Sequence, residues 1–147
     1  AKGFSMTCDI KDKSKAPELG GVDEKTLVAW SPMGDQLRMS STAQFSGFDK
    51  SHKPEDFAAI RATAKELWPD AADWDGGSMT AGLRPMTPDG PPIIGKGKKH
   101  TNLFYNTGHG HMGWTMSSGS SAAIVDIIAG RTPEIDMEPF VVRSYRK

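Results

Sequence analysis

Residues 82–91 have the sequence GLRPMTPDGP, and residues 107–115 have the sequence TGHGHMGWT. The first segment places an arginine, Arg84, among turn-forming proline and glycine residues. The second is a glycine-rich turn that leads into an apolar stretch of helical character. Such a turn lets backbone N–H groups approach a ligand closely, and a helix start presents unpaired donors and partial positive charge. Together the two segments predict a site for a flat, anionic group.

Two roles are open for Arg84. It lies between Leu83 and Pro85, at the end of a predicted apolar strand, where an unpaired charge is costly to bury. Its guanidinium either pairs with a structural carboxylate such as Asp89, or binds a ligand carboxylate through two parallel hydrogen bonds. The planar fork of arginine favours this second geometry over that of lysine.

The glycine-rich turn also has two interpretations. Gly108, Gly110 and Gly113 either serve only the backbone angles of a strand-to-helix turn or admit a ligand. Their spacing differs from the Rossmann fingerprint, and the Gly-Lys-Ser/Thr ending of a P-loop does not follow. His109 and His111 are close enough to share a metal ion, but no carboxylate or thiol follows at ligand spacing. We therefore expect no metal at this turn.

Composition limits the classes of function. The 147 residues suffice for one domain with a modest core, and 18 basic residues balance 18 acidic ones. This balance argues against nucleic-acid binding, which normally leaves a basic excess. The single cysteine, Cys8, fits a reducing compartment. The sequence contains no apolar run that could span a bilayer and no signal peptide, and its first residues already have strand character. We expect the chain to begin inside a larger protein.

Hydrophobic periodicity predicts an α+β fold with antiparallel hairpins and two helices. Strands are predicted over residues 3–10, 26–33, 36–46, 79–83, 91–95 and 101–106, with a further edge strand over 137–142. Residues 11–24 are predicted as a loop, Gly34-Asp35 as a hairpin turn, and Gly130 as the cap of the second helix. Helices are predicted over residues 54–68 and 114–129. Alternation places Leu37, Met39, Ser41, Ala43 and Phe45 on one face of a strand, and helical spacing places Phe57, Ile60, Ala64, Leu67 and Trp68 on one stripe of the first helix. The predicted buried stripe of the second helix consists of Ala123, Ile124, Ile127 and Ile128.

At these segments the chain resembles the FAD-dependent D-amino acid dehydrogenases, within the D-amino acid oxidase and glycine oxidase superfamily. The matching stretches are GLRPMTPDG at 82–90, NTGHG at 106–110, GWTM at 113–116 and IAGRTP at 128–133. The resemblance covers nearly the whole chain and corresponds to the C-terminal portion of such enzymes. It implies that the N-terminal Rossmann half, which binds the ADP part of FAD, is absent from this chain. We therefore expect the chain alone neither to retain FAD nor to be active.

The resemblance also implies that the chain contains parts of two domains with different binding roles. Residues 1–78 would be part of the substrate-binding (cap) domain, an antiparallel or mixed sheet with a long helix. Residues 79–147 would be the C-terminal part of the FAD-binding domain, containing its strand–turn–helix. The implied substrate-binding residues are Arg84 and His109. The implied FAD-binding residues are Gly82, Leu83, Arg84, Gly108, His109, Gly110, His111, Met112, Gly113, Trp114 and Thr115. No residue is identified as a catalytic base.

The implied reaction is oxidation of a D-amino acid by hydride transfer to FAD, followed by hydrolysis to a 2-oxo acid and ammonia. The implied partners are the D-amino acid, the missing Rossmann half and a quinone or other electron carrier, with self-association into a homo-oligomer also expected. The implied location is the cytoplasm, with peripheral attachment to the inner face of the bacterial membrane as a variant. Two alternatives remain open: an amine oxidase similar to glycine or sarcosine oxidase, and a non-catalytic accessory or binding module.

Overall fold

The computed structural model describes residues 1–145, apart from the side chain of Thr42. The chain forms two compact units. The first unit covers Ala1–Leu83, and the second begins at Arg84. The boundary between the units follows Leu83 because the strand that ends there is hydrogen-bonded along its length to the first strand of the chain.

The first unit is built on a five-stranded sheet in which every neighbouring pair of strands is antiparallel. Its strands are β1 (Lys2–Asp9), β2 (Gly21–Asp23), β3 (Val28–Met33), β4 (Gln36–Gln44) and β5 (Ser78–Leu83). Their order across the sheet is β2-β3-β4-β1-β5. The four strands predicted in this region and the hairpin turn at Gly34-Asp35 are confirmed. The short strand β2 lies inside the segment that was predicted to be a loop.

One face of this sheet is covered by the first helix. A 3₁₀-helical turn, Pro54–Phe57, leads into α1 (Ala58–Leu67). Phe57, Ile60 and Ala64 are buried in one cluster with the inward-facing side chains of β1, β3 and β4. Each large apolar side chain buried in this way stabilises the fold by about 1.5–3 kcal/mol. The predicted stripe is buried at these three positions, whereas Leu67, at the C-terminal end of the helix, is exposed.

The predicted alternation along β4 holds only for part of the strand. Leu37, Met39 and Ser41 are buried, but Ala43 is exposed and Phe45 is 85% exposed. The reason is an irregularity in the pairing with β1, where Gly3 pairs with Ala43 while Phe4 pairs with Ser41. Such a bulge adds one residue to one strand and reverses the faces of the positions that follow.

The second unit contains one hairpin and one long helix. Strands β6 (Ile93–Lys96) and β7 (Phe104–Thr107) pair antiparallel, and α2 (Gly113–Ile128) packs against both. Ala123 is buried as predicted, Ile124 and Ile127 are half-buried, and Ile128 is 57% exposed, so the predicted stripe ends one residue early. Gly130 follows the helix with φ +70° and donates to the Ile127 carbonyl, consistent with its predicted capping role.

The tail of the second unit does not form the predicted edge strand. Residues 137–142 instead contain a 3₁₀-helical turn, Glu138–Phe140. Pro139 lies within this turn, where it lacks the N–H that a strand ladder requires. No helix within residues 1–145 is both long and apolar enough to cross a bilayer.

Candidate functional site

The segment after β5 lies directly against the glycine-rich turn. The Gly110 N–H donates to the Pro85 carbonyl at 3.0 Å, and Met86 forms an antiparallel bridge with His109. Arg84, the first residue of the second unit, immediately precedes this junction and is half-buried. The structure therefore brings the Arg84 segment and the turn together, although they are far apart in the sequence.

Gly108 is required by both backbone geometry and space. Its φ of +84° lies in the region that side chains disfavour. A Cβ at this position would lie 2.7 Å from Cγ2 of Thr87 and 3.6 Å from Cα of Pro92. Gly110 also has positive φ, at +58°. These two glycines allow the chain to reverse sharply between β7 and α2.

The start of α2 presents backbone donors. Met112 is the N-cap residue, its side chain makes no capping hydrogen bond, and the first turn contains no acidic residue. The first intrahelical bond runs from the Met116 N–H to the Met112 carbonyl. The N–H groups of Gly113, Trp114 and Thr115 therefore have no acceptor within the helix, and they lie at the positive end of its dipole. The Trp114 side chain is 94% exposed, and those of His111 and Met112 are also exposed.

His109 links the turn to the helix. Its Nε2 is 2.8 Å from Oγ of Ser120, and Ser120 is buried in α2. The hydrogen bond fixes the ring and thereby the turn beside the first half of the helix. Within residues 1–145, no group of three or more His, Cys, Asp or Glu side chains is arranged to hold a metal ion.

Asp89 is paired with Arg143, a residue that the sequence patterns did not identify. The guanidinium donates to both carboxylate oxygens, from Nε at 2.5 Å and from Nη2 at 2.8 Å. The Tyr145 hydroxyl donates to the same carboxylate at 3.1 Å. The Arg143 hydrogen bonds lower the pKa of Asp89 to about 2. Asp89, the carboxylate that the sequence analysis names as a possible structural partner of Arg84, is therefore paired with Arg143.

Gly82 and Leu83 differ from the other predicted site residues because they belong to the first unit, as the last two residues of β5. A Cβ at Gly82 would have open space around it, so the fold of this unit does not demand glycine there. The remaining predicted residues, from Arg84 to Thr115, all lie in the second unit.

The first unit contains a separate open cleft of about 370 Å³ near the end of β1. Cys8 lines it, and a Cβ on the neighbouring Gly77 would clash with the Cys8 sulfur. Burial raises the pKa of the Cys8 thiol to about 11, with additional effects from the Asp73 and Asp9 carboxylates. The thiol is therefore protonated and unreactive at neutral pH.

Comparison with known proteins defines the class. Residues 2–127 match the model of the FAD dependent oxidoreductase family, so the chain belongs to this family. It is 48% identical over 140 residues to "D-amino acid dehydrogenase 2" of Mesorhizobium japonicum, covering 95% of this chain and 33% of that protein. It is 41% identical over 144 residues to "D-amino acid dehydrogenase" of Granulibacter bethesdensis, covering 98% of this chain and 34% of that protein. The chain thus spans about a third of the length of these relatives.

Solved structures of similar fold are those of glycine oxidase from Geobacillus kaustophilus and iminodiacetate oxidase from Chelativorans sp. BNC1. The first has a TM-score of 0.82 at 19% identity and covers 99% of this chain and 39% of that chain. The second has a TM-score of 0.74 at 16% identity and covers 95% of this chain and 38% of that chain. At these identities the likeness concerns the fold alone.

Proposed function

We propose that this chain forms part of an FAD-dependent D-amino acid dehydrogenase. The observation that carries the proposal is the junction between Pro85 and Gly110, which sets the Arg84 segment beside the exposed start of α2. In this proposal residues 1–78 are part of the substrate-binding domain, and residues 79–147 are part of the FAD-binding domain. The names and identities of the relatives support the substrate class.

The start of α2 fits the electron-rich edge of a flavin. Its first-turn N–H groups are uncapped by side chains, and no carboxylate in that turn repels negative charge. Donors at a helix start stabilise a nearby anion by about 0.3–1 kcal/mol when exposed, and by more when water is excluded. Trp114 and Met112 offer an exposed apolar surface beside these donors. The proposed FAD contacts within the second unit are the backbone of residues 108–115 and Arg84. Gly82 and Leu83, which belong to the first unit, stay predictions from the sequence.

Arg84 and His109 are the proposed substrate-binding residues. The Arg84 guanidinium binds the substrate carboxylate through two parallel hydrogen bonds, and this orients the amino acid. The His109 ring, fixed by Ser120, supplies a polar edge of defined orientation. When bound, FAD supplies the acceptor for a hydride from the α-carbon, and the imino product hydrolyses to a 2-oxo acid and ammonia.

The proposal includes partners beyond this chain. They are a D-amino acid, a Rossmann-type polypeptide that holds the ADP part of FAD, and a quinone or another electron carrier. Assembly into a homo-oligomer, and a cytoplasmic location with attachment at the inner face of the membrane, belong to the same proposal. A second candidate, which the same flavin and carboxylate sites would serve, is an amine oxidase similar to glycine or sarcosine oxidase.

Reconstitution tests the proposal. The chain is co-expressed with the remaining two thirds of the Mesorhizobium japonicum relative, and the purified complex is assayed for bound flavin and for dye reduction. We expect a yellow complex that reduces dye with D-alanine and not with L-alanine. Activity confined to glycine and sarcosine would establish the amine oxidase instead. A folded but colourless complex would refute both and leave a non-catalytic module.

Replacement of Arg84 tests the substrate clamp in the same complex. Arg84→Ala should raise KM for D-alanine by about 30-fold or more, since loss of a bidentate partner for a carboxylate costs about 2–5 kcal/mol. Arg84→Lys keeps the charge and loses the fork, so it should recover only part of the affinity. Bound flavin per complex is the control, and an unchanged KM would contradict the assigned role.

A further inference from the structure

Among the tail residues that the structure describes, up to Tyr145, Arg143 has the most extensively hydrogen-bonded side chain. Besides its two bonds to Asp89, it donates to the carbonyls of Pro91 at 2.5 Å and Pro92 at 3.3 Å. It also donates to the carbonyl of Val141 at 3.3 Å. The side chain is only 20% exposed. All three of its nitrogen atoms are engaged, which offsets the cost of removing a guanidinium from water.

These bonds close the loop between Thr87 and Pro92 around the guanidinium. Thr87 contributes a further bond, from its hydroxyl to the Pro91 carbonyl at 2.8 Å. Asp89, at the middle of the loop, is held by Arg143 and Tyr145. A loop rich in proline and glycine has few backbone hydrogen bonds of its own, so the side chain of Arg143 supplies much of what fixes its path.

Both ends of this loop define the space at Gly108. A Cβ at Gly108 would lie 2.7 Å from the Thr87 methyl carbon and 3.6 Å from Cα of Pro92. Met86, immediately before the loop, pairs with His109. A displacement of the loop therefore moves the surfaces against which the turn rests.

We propose that Arg143 is a positioning residue, through which the chain's tail sets the conformation of residues 108–115. The guanidinium contacts Asp89 in the loop, and Thr87 of the same loop lies against Gly108. Met86, just before the loop, pairs with His109, whose carbonyl accepts from the N–H of Met112 at the start of α2. Lysine cannot replace it, because one ammonium cannot satisfy a carboxylate in a bidentate manner and several carbonyls as well. The catalytic consequence rests on the proposed function, whereas the structural coupling does not.

A simple stabilising clamp would behave differently. A clamp that only adds stability affects the whole second unit evenly when it is lost, including β6 and the last turn of α2. A positioning contact affects the turn first, and the effect decays along the helix. The two are separated by measuring each backbone amide rather than the overall stability.

The test uses the isotopically labelled 147-residue chain. Amide chemical shifts and hydrogen exchange are compared for wild type, Arg143→Ala, Arg143→Lys and the control Arg131→Ala. Arg131 also pairs with a carboxylate, that of Asp126, but lies just past the C-terminal end of α2. We expect shifts and about tenfold faster exchange at Gly108–Gly110 in both Arg143 variants and neither change in the control.

The outcomes are decisive in each direction. Unchanged amides at 108–115, uniform changes across the second unit, or full recovery in Arg143→Lys would overturn the proposal. If Arg143→Ala does not fold, Asp89→Asn removes the charge with little change in volume and gives the same comparison. In the reconstituted complex, Arg143→Lys should lower kcat or flavin retention with little change in KM. If the Arg143 variants change the amides of residues 108–115 but the reconstituted complex binds no flavin, the proposed function is refuted and the positioning role of Arg143 stands.

Discussion

Replacement of Gly108 by alanine measures how tightly the turn is constrained. At φ +84°, alanine meets a backbone penalty of about 1–2 kcal/mol. The added Cβ would lie 2.7 Å from the Thr87 methyl carbon, and overpacking of this kind costs about 1–3 kcal/mol. Together these effects should lower the free energy of unfolding of the second unit by about 2–5 kcal/mol.

Two other glycines of the same unit serve as matched controls. Gly90 has φ +100° but open space around its Cβ position, so Gly90→Ala should show the backbone penalty alone. Gly119 lies inside α2, also with open space, so Gly119→Ala should stabilise the unit by about 0.5–1 kcal/mol. The difference between Gly108→Ala and Gly90→Ala isolates the contact with Thr87.

Urea titration followed by the amide signals of β6, β7 and α2 gives the three free energies on one scale. The signals of β1 and β4 report the first unit in the same samples. If Gly108→Ala destabilises the second unit no more than Gly90→Ala does, the close contact is absent and the account of the turn is wrong.

Three further predictions concern the rest of the molecule. Leu27, 70% exposed with φ +56°, is strained, so Leu27→Gly should raise the free energy of unfolding by up to about 1 kcal/mol in urea titration, and a loss would contradict this reasoning. Pairing lowers the pKa of Asp89 from 3.8 to about 2, so the Asp89–Arg143 contact should be intact above pH 4 and lost as pH falls towards 2. The amide signals of the tail, followed by NMR during the titration, should report this loss. Release of the tail already at pH 5 would contradict the lowered pKa. Burial raises the pKa of Cys8 from 9.0 to about 11 in the folded state only, so at pH 9 the thiol should react with iodoacetamide at least about tenfold more slowly than a cysteine peptide does. For the same reason the free energy of unfolding should fall as pH rises from 9.0 to about 11. Rapid alkylation of the folded chain would show that the thiol is not buried.

The parts of the fold that sequence predicts are those decided by local pattern. Alternation located β1 and the β3–β4 hairpin, and the spacing of Phe57, Ile60 and Ala64 located α1. In each case the residues that determine the element lie within the element itself. The prediction of which face the side chains at the end of β4 occupy failed, because that face depends on a bulge in the pairing with β1, which is distant in sequence.

The candidate site shows the same limit. Glycine spacing located the turn, because positive φ demands a residue type that is visible in the sequence. The partner of Asp89 was missed because Arg143 lies far away in an ordinary tail segment, PFVVRSY, with no pattern of its own. The predicted strand over residues 137–142 failed for a related reason: the backbone there folds around Arg143, and its carbonyls accept hydrogen bonds from that side chain instead of from a strand.

The turn between β7 and α2 also restricts where this surface can change. Gly108 and Gly110 admit no side chain without strain, and the His109 ring is committed to Ser120. His111 and Met112, by contrast, extend into solvent from the same backbone. Natural or directed evolution can therefore substitute these two adjacent positions most easily. New side chains there would change the polarity of the surface without changing the backbone conformation of the turn.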